Sequence, residues 1–182
     1  MQGGSLRGAQ RGTAYHRVME HFDYSLLTGD GGAPSETQIR AALSELIGSE
    51  LFTEEERAAL KTEDFVCFFC SELGQRMARA MQRGVLRREA QFVMAVAASE
   101  LDPGTASEEP VLVQGVIDAW FEEEGELVVV DYKTDHIAAE EELKRRYRVQ
   151  LGLYARALQM MEGKKPSELL LWSFALGRAI RL

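Results

Sequence analysis

Two aspartates and a lysine, Asp118, Asp131 and Lys133, lie within the stretch QGVIDAWFEEEGELVVVDYKTD, Gln114 to Asp135. Carboxylates are hard oxygen donors for a divalent cation. An ammonium beside them can orient a water or steady a growing negative charge. The apolar runs Val116–Phe121 and Leu127–Tyr132 are short and rich in β-branched and aromatic residues, so each reads as a strand. Gly125 tolerates the positive φ that a tight hairpin turn requires. A two-residue loop at Glu124-Gly125 then sets Asp118 directly opposite Asp131, with Lys133 on the same face as Asp131. Like charges opposed in this way destabilise a sheet. A divalent cation between them would turn that cost into a binding site. The stretch therefore predicts a metal site on a hairpin, with a lysine beside it.

The rest of the chain must position that hairpin. At 182 residues it reads as one domain with a helical lobe, long enough to bury a core without staples. With 21 basic and 29 acidic residues the net charge is −8, which excludes a histone-like polybasic binder but not an enzyme with a local basic strip. No apolar run approaches a membrane span, and MQGGSLRGAQRG lacks the apolar core of a signal peptide. Residues 1–10 read as an artificial edge or the cut end of a linker. Cys67 and Cys70 are too few for a metal cage and suit a reducing cytoplasm. No Gly-rich phosphate loop ending in Lys-Ser/Thr is present, so this chain is not an ATP motor by itself.

Helical spacing marks Thr13 to Leu27, with Gly12-Thr13 as its cap and Val18, Phe22 and Leu26 on one stripe. His16 and Glu20 are i,i+4 neighbours on another face; taken alone, His16 reads as a capping-turn or interface histidine or as a ligand. A Gly-rich loop over Thr28–Ser35 precedes a helix over Glu36–Ile47. Thr53-Glu54-Glu55-Glu56 is a capping box. One longer helix is expected from Thr62 to about Gln82, with Phe65, Phe69, Leu73 and Met77 as its core stripe and both cysteines as packing residues. Arg76, Arg79, Arg83, Arg87 and Arg88 form the most basic strip in the chain. It reads equally as a solvated face or as a contact for nucleic-acid phosphates. A strand is expected over Glu89–Ala97, then a polar loop over Ser99–Pro110 punctuated by Pro103-Gly104. After the hairpin comes a strong helix from Ala138 to about Glu162, stopped by Gly163 and Pro166. Tyr147, Gln150 and Tyr154 share one of its faces, beside Lys144, Arg145, Arg146 and Arg148. Leu169–Ala175 reads as a buried strand and Arg178–Leu182 as an edge strand.

Five pieces in this order resemble the PD-(D/E)XK nuclease superfamily, in its RecB-type branch. They are Gly12-Thr13-Ala14-Tyr15-His16, Glu89 opening a strand, Gly115-Val116-Ile117-Asp118, Val130-Asp131-Tyr132-Lys133-Thr134-Asp135, and Tyr147-x-x-Gln150-x-x-x-Tyr154. The wording is most similar to the C-terminal nuclease domain in the larger protein of bacterial AddAB-type helicase–nucleases. The resemblance implies an α/β fold, a mixed sheet flanked by helices. An N-terminal helical part (residues 11–84) would carry the histidine, followed by a nuclease core (residues 85–182). It implies Mg²⁺-dependent hydrolysis of DNA phosphodiesters, with Mn²⁺ as a substitute. His16, Asp118, Asp131 and the Tyr132 carbonyl become metal ligands, and Lys133 the catalytic lysine. Gln150 acts with the catalytic set and, with Tyr147 and Tyr154, contacts DNA. Arg145, Arg146 and Arg148 add phosphate contacts, and Glu89 supports the site. Ile117 stands where the superfamily name has proline, as is usual in this branch. Related nucleases hold an iron–sulfur cluster on four cysteines; two cysteines, both upstream, imply none here. The implied setting is a cytoplasmic motor that feeds single-stranded ends to this domain, with recombinational repair as the purpose and an AddB-type protein as the partner. Two other readings are a decayed DNA-binding scaffold, which the intact Asp118, Asp131 and Lys133 oppose, and a stand-alone RecB-type exonuclease.

Overall fold

A computed structural model describes residues 8–28, 35–101, 104, 106–137 and 139–182. The predicted linker up to residue 7, the middle of the Gly-rich loop and Pro103 lie outside the described residues.

Five helices come first: α1 (Gly8–His21), α2 (Glu36–Gly48), α3 (Glu54–Ala59), α4 (Thr62–Cys70) and α5 (Glu72–Gln82). A 3₁₀ turn over Tyr24–Leu27 follows α1. The sheet begins with β1 (Leu86–Ala97), the one-turn α6 (Ala98–Leu101) and β2 (Pro110–Glu123). It continues with β3 (Glu126–Lys133), the long α7 (Glu140–Glu162), β4 (Glu168–Ser173) and β5 (Arg178–Arg181). The strands lie in the order β1-β2-β3-β4-β5. Only β3 and β4 run parallel, joined through α7, as a parallel pair requires a crossover. The fold is thus mixed α/β, with the helical lobe packed on one face of the sheet and α7 on the other.

The β2–β3 turn places Glu124 at φ 54 and Gly125 at φ 77. That is a two-residue turn whose twist matches the strands. The resulting register pairs Ala119 with Val130 and Glu123 with Glu126, as expected from the loop length.

Several elements differ from expectation. Gly12 and Thr13 lie inside α1, where the Thr13 hydroxyl donates to the Ala9 carbonyl. The helix ends at His21, so Leu26 falls on the 3₁₀ turn and is 51% exposed. The helix expected over Thr62–Gln82 breaks at Ser71. Ser71 is extended (ψ 162), and its hydroxyl accepts from the Gly74 N–H to cap α5. The bend lets α5 cross close over α4: a Cβ at Gly74 would lie 2.3 Å from the Phe68 carbonyl oxygen. Phe65, Phe69, Leu73 and Met77 are buried across the break. Both cysteines are exposed rather than packed, because Phe65, Phe68 and Phe69 take the inner face of α4. The capping box at Thr53 and Glu56 forms. Gly163 closes α7 in the left-handed conformation, φ 72. Among the described residues no helix is long and apolar enough to cross a membrane.

Candidate metal centre and active site

Three elements converge where α1 crosses the middle of the sheet. His16 of α1, Glu89 of β1 and Asp118 of β2 each present one donor atom, and these atoms lie within 4.8 Å of one another. The strands deform to allow it. Arg88 pairs with Ala119 and Ala90 with Ile117, while Glu89 between them turns to φ 49. The side-chain alternation slips at the same place. Ala119 and Phe121 pack with the helical lobe, whereas Ile117 packs with α7. Left-handed backbone at a non-glycine residue costs on the order of 1 kcal/mol and persists only where the surroundings hold it. Burial, then the charge of Asp118, raises the Glu89 pKa above the ordinary carboxylate range, and Glu20 adds to this against His16.

His16 is half-buried. Its Nε2–H donates to the Tyr132 carbonyl at 3.1 Å, and its Nδ1 lies 3.4 Å from Asp118 Oδ1. The carbonyl fixes the tautomer, so in the neutral ring the Nδ1 lone pair faces the carboxylates. That is the usual posture of a metal-binding histidine. Burial works against the imidazolium, but the Asp118 hydrogen bond and charge outweigh it, and the net pKa is raised. The other Asp118 oxygen accepts the Tyr132 N–H at 2.8 Å. The β2–β3 ladder is last recorded at Ala119–Val130, and beyond it the Asp118 carboxylate takes up the strand's next amide.

Asp131 is fully buried on the α7 side of β3. Lys133 Nζ donates to its Oδ1 at 2.9 Å and lies 2.8 Å from Oδ2. The ammonium thus straddles both oxygens of the buried carboxylate. Burial and the charge of Asp118 push the Asp131 pKa up to about 7, against the pull of Lys133 and His16. The donor set that the fold brings together is the imidazole of His16 with the carboxylates of Glu89 and Asp118, a hard O/N set that fits Mg²⁺ or Mn²⁺.

Helix α7 supplies the wall behind Lys133, whose Nζ lies 4.5 Å above the Tyr147 ring. The Tyr147 hydroxyl donates to Asp135. Gln150 Nε2 donates to the Tyr154 hydroxyl at 2.8 Å. Burial, then the charges of Asp131 and Asp118, raise the Tyr154 pKa, so it stays protonated near the site. The Arg146 guanidinium lies 5.7 Å from the centre of the Tyr147 ring. Arg145 and Arg148 are exposed and form no ion pair among the described residues. The Arg76–Arg88 strip is divided: Arg76 and Arg88 are tied into the fold, and Arg79, Arg83 and Arg87 are exposed. Arg76 bridges Glu123 (2.7 Å) and Glu168 (3.0 Å), and Arg83 donates to the Glu122 carbonyl. Arg88 donates to the Met19 and Phe22 carbonyls at the end of α1. Arg76 thus staples strands and Arg88 caps the helix that carries His16, while Arg79, Arg83 and Arg87 make up an exposed, solvated face.

Two features have no sequence signal of their own. Asp135 is only the end of a motif in the sequence, yet it anchors Tyr147. The left-handed turn at Glu89 follows from no local rule, since glutamate does not favour it.

A model of the PD-(D/E)XK nuclease superfamily matches residues 3–179. Relatives named as one of the subunits of an ATP-dependent helicase/nuclease align along most of the chain. That of Bacillus licheniformis is 38% identical over 88% of this chain and 13% of its own length. That of Syntrophomonas wolfei is 38% identical over 97% and 14%, and that of Lachnoclostridium phytofermentans 34% identical over 97% and 15%. The chain therefore spans only about a seventh of these relatives, matching their C-terminal nuclease region. By its match along nearly the whole length, and with a mixed sheet and a His/Glu/Asp cluster to go with it, the chain belongs to the PD-(D/E)XK nuclease superfamily.

Proposed function

We propose that this chain is the DNA-cutting domain of a larger ATP-dependent helicase–nuclease and that it hydrolyses phosphodiesters with Mg²⁺. The observation that carries the proposal is the convergence of His16, Glu89 and Asp118, with the buried Asp131–Lys133 pair beside them. Asp118, Asp131 and His16 would hold the cation, with Glu89 beside them and the Tyr132 carbonyl orienting the imidazole. When bound, the cation supplies a Lewis acid for the phosphate and lowers the pKa of a coordinated water.

The chain's own residues do the remaining work. Asp131 holds the Lys133 ammonium at the site through two short contacts. The Tyr147 ring gives it a second, uncharged seat, which favours a cation over its face. Asp135 holds that ring in place. So positioned, Lys133 orients the attacking water and steadies charge building on the phosphate oxygens. Gln150 and Tyr154 brace the α7 side, and exposed Arg145, Arg146 and Arg148 offer contacts to the strand.

In the longer relatives' setting, a motor would deliver single-stranded ends in the cytoplasm, an AddB-type protein would be the partner, and break processing for recombination the purpose. The net charge of −8 fits a domain that relies on such delivery rather than on long-range steering of DNA. Cleavage of a labelled single strand with Mg²⁺, abolished by EDTA and by Asp131→Ala in a folded protein, tests the reading. Metal-independent cleavage, or undiminished cleavage by the variant, refutes it.

A further inference from the structure

A polar cleft of about 170 Å³ is walled by Thr134 and His136, immediately after Lys133 in the chain, and by Arg11 and Tyr15 of the helix that carries His16. Arg11, Tyr15, Lys61, Asp64, Thr134 and His136 line its polar side. Its position is built, not incidental. The Arg11 guanidinium donates to the Thr134 carbonyl and packs 5.7 Å from the Tyr15 ring. The Tyr15 hydroxyl donates to Asp64 Oδ2 at 2.6 Å, which occupies an oxygen of the cleft's one acidic group. Lys61 and His136 are exposed, and neither forms an ion pair among the described residues. Two permanent cations and an imidazole thus face one carboxylate, in a chain whose net charge is −8.

We infer that this cleft binds a backbone phosphate of a single nucleic-acid strand, next to the phosphate being cut. The inference rests on the nuclease reading above. Thr134 carries it: residue 133 serves the metal centre, and residue 134 forms the cleft wall, so one strand crossing this segment meets both. Guanidinium and ammonium donors are the groups that recognise phosphate oxygens. Of the longer basic strip, Arg76 and Arg88 are held by carboxylates and carbonyls of the fold, whereas Lys61 is free of any ion pair among the described residues.

The test is fluorescence anisotropy of a labelled single-stranded oligonucleotide in EDTA, titrated over a range of salt. Wild type is compared with Lys61→Ala/His136→Ala. Both positions are exposed, so the fold should survive, and circular dichroism and Mn²⁺ affinity check that it does. The double variant should bind about fivefold more weakly at low salt, with its log–log salt slope reduced by roughly 0.7, one phosphate on a single strand. Mn²⁺ affinity should be unchanged. An unaltered slope and affinity in the variant, with wild type binding normally, overturns the cleft assignment and leaves the nuclease reading intact. Wild type that fails to bind the oligonucleotide at any salt overturns both.

Discussion

Asp131→Asn should change the pH dependence of metal-free stability in a direction unusual for a carboxylate. The Asp131 pKa stands at about 7 in the fold, against 3.8 for the free side chain. Because the folded value is the higher one, the folded state holds the proton more tightly. The stability this contributes is full below the unfolded pKa and is lost as pH rises through about 7. At about 1.4 kcal/mol per pH unit, the whole shift corresponds to about 4 kcal/mol, and the part lost between about pH 5.5 and 7 to roughly 2 kcal/mol. His16 and Glu89 are also raised and add slopes of the same sign, which the variant keeps. Asparagine preserves the shape but neither repels Asp118 nor titrates. Urea unfolding in EDTA across this pH range should therefore show wild type losing stability steeply toward neutral pH and Asp131→Asn losing much less. The variant should match or exceed wild type near pH 8. Parallel curves for the two proteins, or wild-type stability that rises over this range, would refute the claim that Asp131 is held against its charge.

Other outcomes follow from the same geometry. Mn²⁺ or Mg²⁺ should raise the melting temperature of wild type, since a cation that binds only the folded state stabilises it; in Asp118→Ala the rise should vanish, read by differential scanning fluorimetry. Gly74→Ala should destabilise by roughly 1–3 kcal/mol in denaturant titration, because the new methyl meets backbone of α4 rather than a side chain that can yield. Replacing Arg145, Arg146 and Arg148 together with Ala should lower the salt slope of single-strand binding by roughly 0.7 for each phosphate no longer neutralised, with Mn²⁺ affinity intact; an unchanged slope would take α7 out of the DNA path.

Loop length and alternation made the hairpin legible. A two-residue turn leaves one register that buries the apolar face, and Ala119–Val130 through Glu123–Glu126 adopt it. Periodicity likewise revealed the core stripe of α4 and α5 but not the break between them. Ser71 and Gly74 set that break by a cap and a close backbone crossing, which only the tertiary path requires. At Arg76–Arg88 proximity in sequence hid a division: Arg79, Arg83 and Arg87 stay exposed, whereas Arg76 and Arg88 turn into the fold. Their partners, Glu123, Glu168 and the end of α1, are distant in the chain and invisible to a local reading. Cys67 and Cys70 looked apolar by type, but the three phenylalanines around them compete better for the inner face. At the site, Asp118, Asp131 and Lys133 could be reasoned from residue type and register. His16 and Glu89 needed either a resemblance or the fold itself. One sits on a helix far from the hairpin in sequence, the other at a backbone turn its own side chain disfavours.

The most direct measurement is cleavage of an end-labelled single-stranded oligonucleotide by the isolated domain, with Mg²⁺ and with Mg²⁺ plus excess EDTA, alongside Lys133→Ala. Cleavage that needs the cation, and that falls by orders of magnitude in Lys133→Ala while Mn²⁺ still binds, is the predicted result. Cleavage in EDTA, or a Lys133→Ala protein as active as wild type, would contradict the account.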